Sequence, residues 1–159
     1  MTINVGDRIP VAVLTQMSEQ GPQPVSTADY FAGRKVVLFS VPGAFTPTCS
    51  AHHLPGYVDH ASEFSDKGVD AIACMSVNDV FVMDAWGNSA NAGDIDMLAD
   101  GNGEFAEALG LTMDASAFGM GHRAQRFALV ADDGVVTQLL VEAPGEFRVS
   151  SAESVLSVL

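Results

Sequence analysis

Cysteine is scarce: Cys49 and Cys74 are the only two in 159 residues, too few for the disulfide framework of a small secreted domain. Basic residues are scarce as well. Seven Lys and Arg stand against 20 Asp and Glu, a net charge of −13. That balance repels phosphate backbones and anionic lipid surfaces, so neither a nucleic acid nor a membrane is expected as a partner. No apolar run approaches the roughly 18 residues of a membrane helix, and no internal repeat or low-complexity tract is present. The first residues, MTINVGDRIPVAVL, have neither a basic start nor a long apolar core, and the expected location is a reducing cytoplasm. What is there is ordinary globular composition, 48% hydrophobic against 17% charged. Such a chain is long enough to bury a core without disulfides or metals, and a single domain over 1–159 is expected.

The chemistry gathers in one stretch, VPGAFTPTCSAHHLPGY from Val41 to Tyr57. It follows Val36–Ser40, a β-branched and aromatic run that reads as a buried strand. Thr46 followed by Pro47 is a helix-start signal, with the threonine hydroxyl as cap and proline where a missing N–H costs nothing. Counting from Thr46 puts Cys49 in the first turn. There the N–H groups lack intrahelical partners and the helix end is partly positive, which favours a thiolate over a thiol. Cys49 is placed to be a nucleophile, although a free cysteine is also commonly a buried small hydrophobe.

The rest of the chain supplies a frame. VAVL at 11–14 reads as a short strand, Gly21-Pro22-Gln23-Pro24 as a turn, and Ser26 as the cap of a short helix ending at Gly33. The helix from Pro47 carries an apolar stripe of Leu54, Val58, Ala61 and Phe64, with a kink expected at Pro55. Val69–Val77 is a second buried strand, and Asn78 is expected to cap the helix after it. Between Asn88 and His122 the pattern weakens: MLA at 97–99 is strand-like, 103–109 a short helix and 117–121 a loop. Phe127–Ala131 and Val135–Glu142, joined by Asp132-Asp133-Gly134, read as a hairpin. Ser150 with Glu153 reads as a capping box opening the last helix. This alternation implies an α/β chain with a central mixed β-sheet flanked by helices, in thioredoxin-like order.

The stretch PGAFTPTCSAHHLPGYV resembles the active-site segment of peroxiredoxins, with Pro42, Thr46 and Cys49 meeting a Pro-x-x-x-Thr-x-x-Cys pattern. PGAFTPTCS, HLPGY, SVNDVFVMDAW and HRAQRFALVADDGVV are similar to the five-type, or type II, branch. The resemblance spans nearly the whole chain. It implies a thioredoxin-like fold and a thiol peroxidase that reduces hydrogen peroxide and organic hydroperoxides to water and alcohols through a cysteine sulfenic acid. It implies no metal or organic cofactor, a thiol reductant (glutathione, glutaredoxin or thioredoxin) and a homodimer.

The resemblance also assigns roles. Cys49 is the attacking sulfur, and Arg126 matches the family's active-site arginine, with Arg123 its rival for the position. The Cys49 N–H and Thr46 hydroxyl would complete a donor set, and Pro42 would shape and dry the pocket. His52 and His53 lie close to Cys49, but no paired metal-ligand spacing supports a zinc site, and His53 reads as a structural residue behind the site. Cys74 is open: its strand pattern suits an inert core thiol, while its offset from Cys49 resembles that of a resolving cysteine in some type II members. The reading requires Arg126 beside Cys49 and a sulfur that peroxide can reach. Its competitor is a thioredoxin-like binding or holdase protein with a non-catalytic pocket.

Overall fold

The computed structural model describes residues 2–159. A hairpin of β1 (Val13–Ser18) and β2 (Gly21–Ser26) leads into α1 (Thr27–Phe31) and β3 (Lys35–Ser40). The helix that follows is continued by α2 (Leu54–Asp59) and α3 (Ala61–Asp66), then β4 (Ala71–Ser76), α4 (Val80–Ser89), β5 (Asp96–Ala99) and α5 (Glu104–Leu109). A small antiparallel pair, β6 (Thr112–Asp114) and β7 (His122–Ala124), precedes β8 (Phe127–Asp132), β9 (Val135–Val141) and α6 (Ala152–Leu156). The large sheet runs β2-β1-β5-β4-β3-β8-β9. Its centre, β5-β4-β3, is parallel, and β1 and β8 flank it antiparallel, so the sheet is mixed as expected.

Alternation along the central strands divides the core into two layers. Val37 and Phe39 of β3, with Cys74 of β4 and Val130 of β8, face a layer closed by Leu54, Tyr57, Phe64, Met83, Trp86 and Val155. Val36, Leu38, Met75 and Leu129 face the other, closed by Tyr30, Phe31, Phe105 and Leu109. Cys49 belongs to the first layer. The β8–β9 turn has positive φ at both Asp133 (48°) and Gly134 (77°), the backbone a two-residue hairpin requires.

Several expectations need correction. The proline-rich segment 21–24 is not a turn but most of β2, with Pro22 opposite Met17 and Pro24 opposite Thr15. An edge strand needs no donor on its outer side, so proline is tolerated there. Asn78 does not cap α4; Asp79 does, accepting from the Val82 N–H at 2.9 Å. The last helix is capped by Ser151 through the Ser154 N–H, and Glu153 reaches His60 instead of closing a capping box. The segment read as irregular also contains the β6–β7 pair.

The helix carrying Cys49 departs most from expectation. It begins at Pro47 but widens into a π-helical turn over Cys49–His53, where the Leu54 N–H bonds back to the Cys49 carbonyl. Pro55, which has no N–H to give, comes directly after this widened turn, and the helix breaks at His60 (φ −102°, ψ 8°).

Candidate active site

Cys49 lies just past the C-terminal end of β3, the sheet edge where parallel α/β strands deliver their loops. Ser50 closes the first helical turn by donating to the Thr46 carbonyl at 2.9 Å, so the Cys49 N–H precedes the ladder and has no intrahelical partner. The Thr46 carbonyl therefore opens the helix, but its hydroxyl does not cap it. That hydroxyl donates to the Gly43 carbonyl at 2.7 Å, so Thr46 presents lone pairs, not a proton, to its surroundings. This corrects the expectation of Thr46 as a donor.

The chain around Cys49 is pinned from three sides. Ala44 N–H donates to Asn78 Oδ1 at 3.0 Å, Arg123 Nη1 donates to the Pro42 carbonyl at 3.3 Å, and Trp86 Nε1 donates to Ser50 Oγ at 3.0 Å. A Cβ on Gly43 would meet Met120 Cε at 2.9 Å and Arg123 Nη1 at 3.2 Å, so a side chain there would have to push aside the tips of both. Phe45 sits in the left-handed region at φ 63°, a conformation that typically costs a non-glycine residue ~1–3 kcal/mol and is held here by its surroundings.

Arg126 donates from Nη2 to Cys49 Sγ at 3.1 Å and from Nη1 to His53 Nδ1 at 2.8 Å. The fork geometry of a guanidinium allows both at once. Arg123 is thus a loop anchor and Arg126 the sulfur's partner. His53 is fully buried; its Nε2 donates to the Ser150 carbonyl at 3.1 Å, so Nδ1 is the acceptor toward Arg126. Burial, with the neighbouring Arg126 charge adding to it, lowers the His53 pKa to about 3, and the ring is neutral across the physiological range. Tyr57 donates to the same Ser150 carbonyl at 2.7 Å and stacks on Phe39 at 4.0 Å.

The second condition set by the sequence meets a closed door. Cys49 is 0% exposed, so a peroxide reaches the sulfur only through a local opening of the structure around it. Cys74 is equally buried on the central strand β4, in the same layer as Cys49. Burial raises its thiol pKa well above the ordinary value, and Cys49 adds to the effect against a smaller opposing pull from Arg126. Both cysteines are free. No group of three His, Cys, Asp or Glu side chains able to hold a metal occurs among the described residues.

Sequence reasoning missed Asn78, Tyr57, Ser150 and Glu142. Asn78 was within reach, because it follows β4 at the same sheet edge as Cys49. Ser150 was read only as a helix cap, Tyr57 only as part of the HLPGY segment, and Glu142 carried no spacing signal of its own.

A mixed sheet whose central parallel strand ends at a cysteine in a helix's first turns defines a redox protein of the thioredoxin-like class. The redoxin family model matches residues 4–156. Peroxiredoxin-2E-2, chloroplastic, of Oryza sativa subsp. japonica is 53% identical over 164 residues, covering 99% of this chain and 73% of the relative. Peroxiredoxin-2C of Arabidopsis thaliana is 48% identical over 159 residues, covering 99% of this chain and 98% of the relative. The crystal structure of reduced Prx3 in complex with H2O2 from Vibrio vulnificus aligns at a TM-score of 0.96 with 54% identity, covering 99% of each chain. The chain belongs to the redoxin family, within its type II peroxiredoxins, and is a thiol peroxidase.

Proposed function

We propose that Cys49 reduces hydrogen peroxide and organic hydroperoxides through a sulfenic acid intermediate, with Arg126 stabilising first the thiolate and then the charge that develops on the peroxide. The observation that carries this reading is the 3.1 Å contact from Arg126 Nη2 to Cys49 Sγ. In the step, the Cys49 thiolate forms an S–O bond as the O–O bond breaks. The sulfur loses two electrons, and the departing oxygen takes a proton to leave as water or an alcohol. The free Cys49 N–H and the remaining in-plane N–H groups of the guanidinium are the donors to the peroxide oxygens. Thr46, its own proton committed to Gly43, accepts the hydrogen the peroxide carries. The pyrrolidine of Pro42 offers no donor and shields the site from water. That a relative in the Vibrio protein's fold holds H2O2 in its reduced state supports this assignment.

The sulfenic acid is the first reversible rung of thiol oxidation and must be returned to thiol by another sulfur. An external thiol, glutathione or the thiol of a glutaredoxin or thioredoxin, attacks it with loss of water, and a second thiol releases Cys49. Cys74 is the internal alternative. Its thiol is held neutral in the core on a central strand, so resolution by Cys74 requires the Cys49 turn to unwind and bring the two Cα atoms within about 7 Å. We favour the external route.

Stopped-flow mixing of reduced protein with limiting hydrogen peroxide, followed by mass spectrometry, tests both statements. Oxidation far faster than that of a free thiol, yielding a trappable Cys49 sulfenic acid, is expected. Sluggish oxidation overturns the peroxidase assignment, and a Cys49–Cys74 disulfide as first product overturns the external route.

A homodimer is proposed from three exposed aromatic side chains around the active-site loop: Phe45 (54% exposed), Phe81 (64%) and Phe118 (79%). Phe45 lies against Trp86 of α4, the helix that also carries Phe81, and Met120, close to Phe118 in sequence, closes on Gly43. Exposed aromatic side chains of this kind are often covered by a partner. Sedimentation at micromolar concentration should give the dimer mass, with Phe81→Glu shifting it to the monomer; a wild-type monomer removes the proposal.

A further inference from the structure

We propose that Glu142, remote from the sulfur, is a positioning residue for the peroxidase reaction, holding Arg126 in register with Cys49 through Ser150 and His53. The proposal rests on the reading of Cys49 and Arg126 given above and extends it to a group that touches neither peroxide nor sulfur.

Glu142 directly follows β9 and is 6% exposed. None of its neighbours among the described residues pairs it with a cationic side chain; the Arg148 guanidinium turns toward Glu146 at 3.9 Å. The carboxylate is instead cradled by the chain that follows it. The N–H groups of Arg148, Val149 and Ser150 donate to it at 2.8–2.9 Å, and the Ser150 hydroxyl donates at 2.6 Å. Burial by itself acts to raise this carboxyl's pKa, but the hydroxyl and the three amides outweigh it and hold the pKa below the usual value. Successive amides converging on one anion fix a loop as firmly as a turn does.

What this fixed loop does is aim one carbonyl. The Ser150 carbonyl accepts from His53 Nε2 at 3.1 Å and from Tyr57 Oη at 2.7 Å. Because a carbonyl only accepts, it forces the proton of His53 onto Nε2 and leaves Nδ1 as a lone pair. That lone pair takes Arg126 Nη1, and the guanidinium plane then directs Nη2 at Cys49 Sγ. The circuit closes on itself, because the Glu142 N–H donates to the Arg126 carbonyl at 3.0 Å. One residue thus secures Arg126 at both its backbone and, through two intermediaries, its side chain.

A guanidinium has many rotamers, and an unpaired buried one has no reason to keep the orientation the sulfur needs. His53 offers no charge to repel or neutralise Arg126, so it orients the cation while leaving its charge for the sulfur and peroxide. Glu142 places a compensating negative charge beyond His53 without forming an ion pair that would compete with Cys49.

The test uses the full chain with Glu142→Gln, which preserves size but removes the charge and one acceptor. The expected result is an oxidation rate constant with hydrogen peroxide lowered about tenfold, with iodoacetamide alkylation of Cys49 at neutral pH slowed in parallel. Imidazole 15N–1H correlation spectra of the same samples read His53 directly. In the wild type they should show one neutral Nε2–H tautomer; in the variant they should show exchange between tautomers. Should the glutamine variant not fold, Glu142→Asp, which keeps the charge but shortens its reach, is expected to move each quantity in the same direction. An oxidation rate within twofold of wild type, or a wild-type His53 that is protonated on Nδ1, overturns the proposal. Slow oxidation of the wild type instead strikes at the peroxidase reading, and the tautomer spectra keep the two failures apart.

Discussion

Cys49→Ser is expected to abolish peroxide reduction, with the turnover falling by about 10^4-fold or more, as loss of a covalent nucleophile commonly does. A serine hydroxyl is of nearly the same size and can still accept from Arg126, so the fully buried position keeps its packing. What it loses is the anion. A thiolate is a strong enough nucleophile to displace oxygen from oxygen, whereas a serine hydroxyl is not. Cys74 does not substitute, because its thiol is buried and held neutral within the sheet. Measuring peroxide consumption in the presence of excess thiol decides the matter. A serine variant that retained even a hundredth of the wild-type rate would place the chemistry elsewhere.

The second large effect is expected from Arg126→Ala. The guanidinium gives one hydrogen bond to Cys49 Sγ and another to His53 Nδ1, and its removal withdraws the charge that favours the thiolate together with a preorganised donor to the transition state. Loss of one donor of this kind typically lowers a rate by about 100- to 1000-fold. Arg126→Lys should recover little of it, because an ammonium is a point charge that lacks the fork needed to meet a sulfur and an imidazole together. Two readouts separate the contributions. Alkylation by iodoacetamide at neutral pH reports the thiolate, and oxidation by peroxide reports thiolate and transition state together. Oxidation should therefore fall by more than alkylation does. A loss of less than threefold in oxidation would remove Arg126 from the mechanism and leave it a structural partner of His53.

The closed sulfur bears on both. Cys49 has no exposure at rest, so peroxide needs a local opening to reach it. Hydrogen peroxide is scarcely larger than water, so a small opening admits it, whereas a bulky hydroperoxide requires a larger one.

Much of this was legible in the residues because the signals are local. β3, β4 and β8 were visible as apolar β-branched runs, α4 and α5 by their position and spacing, and the β8–β9 turn by Asp133-Gly134. Where reading failed, a tertiary partner overrode a local preference. Pro22 and Pro24 look like a turn until β1 offers them an edge to pair with. Asn78 and Ser150 look like helix caps, yet their side chains go to Ala44 and Glu142 and leave the capping to the residues beside them. Thr46 also reads as a cap, and its hydroxyl turned back to Gly43.

By itself, then, the amino-acid order determined the alternation of strands and helices, the loop that brings Cys49 to a helix start, and the hairpin that carries Arg126 toward it. Those follow from side-chain periodicity, proline and glycine geometry, and capping, all of which act over a few residues. Only the folded sheet decided which arginine meets the sulfur, which nitrogen of His53 carries its proton, and that Glu142 stands behind both. Those depend on hydrogen bonds between residues 73 to 97 positions apart, which exist only once β8 has paired with β3 and the chain after β9 has folded back over the Cys49 helix.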